Sequence, residues 1–215
     1  MTRKLIVTRF HLFLVGVLLA VMATALVKIQ AGTDLPVHWG FDGKPDRFWP
    51  RLPALLMFPV IGFLLTGLFA LIGRFAPVEA IEPGRHMSQL LLTGLLGLLC
   101  ALEFALILLG IGADLDMIRL VCFAVAIFLL ILGSLLPQSQ RNSITGLRLP
   151  WTLKDPAGWR ASHLVTGVLV AVGGIGLAVV AWFRPTPSDM LMALGAAVFV
   201  PIIVGGLFSF VRSKL

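Results

Sequence analysis

An all-α, polytopic integral membrane protein with about six transmembrane helices is the fold class that this sequence predicts, and three observations carry it. The 215 residues are 59% hydrophobic and 13% charged, with a mean hydropathy of +1.02, whereas soluble domains hold about a quarter charged residues. Six apolar runs divide the chain, at residues 10–29, 53–73, 89–112, 118–136, 164–183 and 190–211. Each approaches or exceeds the ~20 residues that a helix needs to cross ~30 Å of hydrocarbon, and a helix satisfies its own backbone polar groups in lipid.

The first run follows a basic segment and so has the layout of a signal peptide. Its apolar stretch is longer than the ~7–15 residues usual there, and an uncleaved first helix is expected. Pro59 and Pro201 interrupt the second and sixth runs and predict local kinks. Gly167, Ala171, Gly174 and Ala178 place small residues on one face of the fifth run, which lets another helix approach closely. That helix belongs to the same chain or to a second copy in a homo-oligomer, with internal packing the expected case. Cys100 and Cys122 lie inside apolar runs and read as small packing residues.

The net charge is +7. Membrane proteins retain Lys and Arg on the cytoplasmic side, and the chain lacks a dense basic run of the nucleic-acid type, so no nucleic-acid partner is expected. With the N-terminus inside, eleven of the seventeen Lys and Arg residues fall on the inner segments. This predicts a multi-pass protein of a bacterial inner membrane with both termini cytoplasmic. The chain divides into a two-helix region, 1–88, with an outer loop at 30–52, and a four-helix region, 89–215, with a cytoplasmic loop at 137–163.

Three places can carry chemistry. The outer loop contains LPVHWGFDGKPDRFW, from residue 35 to 49. Asp42-Gly43 is a tight-turn signal. His38, Asp42 and Asp46 resemble metal ligands in type, but a zinc site lacks further His or Cys nearby, and no metal or other cofactor is expected. Trp39, Phe48 and Trp49 suit the membrane interface or the grip of an apolar peptide. The inner loop holds Asn142, Arg148, Trp151, Trp159 and His163. Arg148 has the fork geometry for a carboxylate or phosphate, lipid headgroups included. Asp155-Pro156 reads as an N-cap followed by the first residue of a helix. Glu103 lies within the third run, and an intramembrane carboxylate is a functional candidate by default. Its expected uses are proton or cation handling or a helix-to-helix hydrogen bond. No catalytic motif of the common hydrolase, protease or nucleotide-binding kinds is present, so an enzyme is not expected.

The two loops together resemble those of the SdpI family of bacterial membrane proteins, including the N-terminal domain of unknown function common in that family. The first resemblance rests on Pro36-Val37-His38-Trp39 and Gly43-Lys44-Pro45-Asp46. The second rests on Asn142, Gly146-Leu147-Arg148-Leu149-Pro150-Trp151-Thr152, Trp159 and Ser162-His163. Leu147 stands where the family pattern has Ile, and Leu149 where it has Thr. The resemblance implies a non-enzymatic immunity or signal-transduction protein. It implies that His38, Trp39, Asp42 and Asp46 meet a secreted membrane-active peptide toxin outside. The inner residues would meet membrane lipids or a cytosolic repressor. The alternatives are a transporter using Glu103 and a membrane enzyme acting on lipid or envelope substrates.

Overall fold

The computed structural model describes residues 5–142, 144–183 and 185–214. Six helical segments in it are long and apolar enough to cross a membrane. They are α1 (Arg9–Lys28), α2 (Arg51–Phe75), α4 (Arg85–Gly110), α5 (Met117–Leu135), α6 (Pro156–Phe183) and α7 (Pro187–Arg212). A one-turn α3 (Val78–Ile81) and a 3-10 turn (Glu82–Gly84) lead into α4. The chain is thus a multi-pass membrane protein, and large apolar side chains such as Phe13, Phe63, Val172 and Phe199 are exposed on its flanks. In water such surface would be costly, whereas lipid solvates it.

The buried side chains group the helices three and three. Leu18, Phe69, Leu92 and Leu96 join α1, α2 and α4 at one level, and Ala25, Leu55 and Leu106 continue that core at another. Cys122, Ala126, Leu129, Val170, Leu177 and Ala197 join α5, α6 and α7. Packing therefore sets α4 with the first two spanning helices, whereas the division at residue 88 in the sequence places it with the last three.

The small-residue face of α6 meets α5. A Cβ on Gly133 would come 2.7 Å from the backbone of Gly167 and Ala171, and one on Gly167 would meet the Gly133 carbonyl at 2.8 Å. A Cβ on Gly174 would stand 3.0 Å from the Ala126 carbonyl. The expected internal packing is what the fold contains: two backbones approach where side chains are missing.

Cations close two helix ends on one side of the bundle. The Arg51 guanidinium donates to the carbonyls of Leu26 and Ile29 at the end of α1. Arg119 donates to the Ala181 carbonyl near the end of α6 at 2.9 Å. Both satisfy carbonyls that a helix terminus leaves open.

Two boundaries differ from the hydropathy reading. α6 begins at Pro156, eight residues before the apolar run at 164, because Trp159, Ser162 and His163 turn inward and are buried. Asp155 accepts from the Ala157 and Gly158 amides at 2.9 and 2.7 Å, as its N-cap reading predicts. The loop between α1 and α2 is a β-hairpin, β1 (Asp34–Trp39) paired antiparallel with β2 (Pro45–Pro50). Pro36, Pro45 and Pro50 obscure it in the sequence. A two-stranded sheet consists only of edges, where proline is tolerated.

Candidate functional sites on the two membrane faces

The hairpin and the 137–155 loop lie at opposite ends of the bundle, because each follows an odd or an even number of crossings. The hairpin turn is built as its sequence signal predicts. The Gly40 amide donates to the Lys44 carbonyl at 2.9 Å, the Lys44 amide donates to Asp42 Oδ1 at 3.1 Å, and Gly43 has φ +79. Asp42 thus holds the turn. Asp46 Oδ1 lies 2.6 Å from His38 Nδ1, with both side chains more than half exposed. This pair orients the imidazole at the surface. No group of three metal-ligating side chains occurs among the described residues.

Beneath the hairpin lies an apolar cavity of about 380 Å³, bordered by His38 and Trp39 above and by Met57, Phe58, Leu102 and Leu191 below. These lining residues come from both helix triplets, so the cavity sits at their seam. Trp39 also packs against the α5–α7 core. Phe41, Phe48 and Trp49 are exposed on the same hairpin, Phe41 to 73%. The hairpin therefore covers an apolar slot with one oriented imidazole at its rim and carries three exposed aromatic side chains of its own.

The inner loop is held from within. Asn142, 6% exposed, accepts through Oδ1 from the Ile144 and Thr145 amides at 2.8 and 2.7 Å and donates through Nδ2 to the Gln140 carbonyl. Its side chain rests on Gly84, where a Cβ would stand 2.7 Å from it. Trp159 Nε1 donates to the Ser139 carbonyl at 2.9 Å, and its ring stacks on His163 with centroids 4.0 Å apart. His163 Nε2 accepts from the Leu147 amide at 2.9 Å, so the proton sits on Nδ1, which faces the Trp159 carbonyl at 2.8 Å. Thr152 Oγ1 accepts from the Leu149 amide at 3.0 Å and is 2.7 Å from the Leu147 carbonyl. Trp151 Nε1 donates to Ser209 Oγ on α7 at 2.9 Å, and its ring meets Phe210 edge-on.

Of the five inner candidates, Asn142, Trp159 and His163 are buried and have their polar atoms engaged within the chain. They shape the loop and present no free polar atom to a ligand. Trp151 is half-buried and ties the loop to α7. Arg148 is exposed, and its guanidinium donates to the Ile144 carbonyl at 3.3 Å. The order of the motif therefore encodes a folded loop that displays one arginine.

Glu103 is fully buried, and neither carboxylate oxygen has a hydrogen-bond partner among the described residues. His11, which reads in the sequence as an interfacial residue with no special role, is instead built into the packing. It is 1% exposed, its Nδ1 accepts from the Thr8 amide at 2.9 Å, and its Nε2 reaches the Gln89 carbonyl and Thr93 Oγ1 on α4, each at 3.0 Å. The spacing of Thr8 and His11, that of a capping box, was the signal available.

A six-crossing membrane protein with an interlocked loop at one end and a hairpin-covered slot at the other is the class that this geometry defines. Residues 138–213 match the SdpI/YfhL protein family and residues 15–63 match the domain of unknown function DUF1648. The chain is similar to "Immunity protein SdpI" of Bacillus subtilis (strain 168), 23% identical over 177 residues that cover 82% of each chain. No solved structure matches. The two matched segments contain the inner loop and the hairpin respectively, so the family patterns fall on both faces described above.

Proposed function

We propose that this protein is a membrane immunity protein that protects a bacterial cell from a secreted membrane-active peptide. The name of the Bacillus subtilis relative supports the immunity role, and the outer slot supports the peptide. That slot is the observation that carries the reading: an apolar cavity of about 380 Å³ with His38 and Trp39 at its rim, under a hairpin that also exposes the rings of Phe41, Phe48 and Trp49. Apolar segments of a peptide at the outer leaflet gain by entering such a slot at roughly 25 cal/mol per Å² buried. Asp46 holds His38 ready to bond a peptide carbonyl or carboxylate.

In this reading both termini are cytoplasmic, which sets the hairpin outside and the Arg148 loop inside, as the excess of Lys and Arg supports. Residues 1–88 form the toxin-facing region, with residues 89–215 carrying the cytoplasmic loop. Arg148 is the inner contact for lipid headgroups or a cytosolic repressor. Signalling to a repressor requires a toxin that binds two conformations unequally, and the seam between the helix triplets under the slot is the place where such a difference would act. The role is non-enzymatic.

The test is membrane potential in cells challenged with a panel of secreted membrane-active peptides, with and without the protein. Selective protection from depolarisation that Trp39→Ala abolishes, at unchanged expression, is the expected result. Protection that persists in Trp39→Ala and in a Phe41→Ala, Trp49→Ala double variant would remove the outer slot from the mechanism. Well-expressed protein that protects against none of the panel would count against the immunity reading.

A further inference from the structure

On the inner face a second cavity, of about 350 Å³, lies between the start of α6 and the end of α7. Its wall differs in kind from that of the outer slot. Lys154 and Arg212 stand at its exposed rim, and Ser162, Ser209 and Ser213 contribute hydroxyls. No acidic partner pairs with Lys154 or Arg212 among the described residues. Ser162 is 0% exposed, and its Oγ has no hydrogen-bond partner among the described residues. An unpartnered buried hydroxyl is costly, and this one borders a polar cavity with two unpaired cations at the mouth.

The acid in the lining, Asp155, forms no ion pair with either of them among the described residues. Both of its oxygens are engaged with the amides of Ala157 and Gly158 at the start of α6. Ser209 is likewise occupied, accepting from Trp151 Nε1 and placed 2.7 Å from the Gly206 carbonyl. The unfilled bonding capacity is therefore that of two cations and one buried hydroxyl donor. All of it suits an anion with several acceptor oxygens.

We propose that this cavity binds a phosphate group at the inner membrane edge, with Lys154 and Arg212 gripping its oxygens and Ser162 donating from the floor. Arg212 supplies the planar fork that matches phosphate, and Lys154 supplies a mobile point charge. The source is either the headgroup of an anionic phospholipid, for which the cavity lies at the right depth beside the ends of two spanning helices, or free phosphate. The site is separate from the outer slot and does not depend on the immunity reading.

The experiment is thermal unfolding of the full-length protein in detergent micelles, titrated with two probes. One is a short-chain phosphatidylglycerol, with short-chain phosphatidylcholine as its comparison. The other is inorganic phosphate, with chloride at matched ionic strength. Stabilisation by phosphatidylglycerol alone assigns the site to lipid, and stabilisation also by inorganic phosphate assigns it to the free anion. In either case Arg212→Gln and Lys154→Gln each raise the half-maximal concentration by about tenfold, the loss of one charge-assisted bond. Ser162→Ala, which removes an unpartnered hydroxyl, weakens the ligand effect without lowering the ligand-free Tm. Arg74→Gln removes one exposed charge elsewhere and leaves the titration unchanged. No stabilisation by either probe, an equal loss in Arg74→Gln, or an unchanged titration in Arg212→Gln overturns the proposal.

Discussion

The backbone N–H of Leu147 donates to Nε2 of His163 across 2.9 Å, and this bond fixes the inner loop to the first turns of α6. An amide can only donate, so the imidazole must keep a lone pair on Nε2 and its proton on Nδ1, toward the Trp159 carbonyl. Replacing His163 by Ala leaves the Leu147 amide without its partner and removes the ring on which Trp159 stacks. A buried orphaned donor costs ~1–3 kcal/mol. The expected outcome is a clearly lower Tm in detergent for His163→Ala, with an expressed protein whose far-ultraviolet helix signal is unchanged below that temperature. An unaltered Tm would show that the loop is held elsewhere.

Gly146 has φ +100, and a Cβ there would overlap His163 Nε2. Gly146→Ala therefore combines a strained backbone, at roughly 1–2 kcal/mol, with displacement of the imidazole. Both substitutions act on the same ring, one displacing it and the other removing it, so Gly146→Ala and His163→Ala should be non-additive. A double-mutant cycle on thermal stability should give a coupling of ~0.5–3 kcal/mol, the range for residues in contact. Additive losses would mean that the two side chains do not meet.

Trp159→Phe keeps an aromatic ring over His163 but removes the Nε1–H that satisfies the Ser139 carbonyl. The predicted loss is ~0.5–1.5 kcal/mol, one net hydrogen bond. Trp159→Ala should lose ~3–5 kcal/mol by also opening a large cavity. Comparison of the two unfolding midpoints separates the bond from the packing.

The contact between α5 and α6 depends on missing side chains. Gly133→Leu places atoms where the Gly167 carbonyl and Ala171 backbone now lie, and the helices must separate. Overpacking of a close core costs ~1–3 kcal/mol or more. Gly176→Leu, on the partner helix α6 but with no atom near its Cβ position, should leave the Tm close to wild type. Equal effects of the two would contradict the packing.

Glu103 tests the transport alternative directly. Its oxygens have no partner among the described residues, so an apolar replacement of similar size relieves a desolvation cost. Glu103→Met should raise or preserve the Tm and leave peptide protection intact. Loss of protection with a preserved Tm would instead make the carboxylate part of the function.

Much of the site was legible as residue types and little of it as roles. Asp42-Gly43 and Asp155-Pro156 read correctly because turns and caps are local: their bonds join residues two to four apart. Asn142, Trp159 and His163 stood out by composition as candidates for ligand contact, yet Asn142 bonds its own loop at Gln140, Ile144 and Thr145 and packs on distant Gly84, while Trp159 and His163 bond Ser139 and Leu147, which no local pattern pairs with them. His11 reads in the sequence as an interfacial residue with no special role for the same reason, since its bond to Gln89 spans 78 positions.

The sequence by itself determined a membrane protein of six spanning helices, because lipid tolerates only long apolar segments that satisfy their own backbones, and that demand is written residue by residue. It also determined where the two unusual loops lie. Only the tertiary structure decided that α4 packs with α1 and α2, that the proline-rich outer loop is a hairpin over an apolar slot, and that the inner motif is turned inward to leave Arg148 displayed. Burial and hydrogen bonding between distant segments depend on which helices become neighbours, and apolar runs of nearly uniform composition carry little information about that choice.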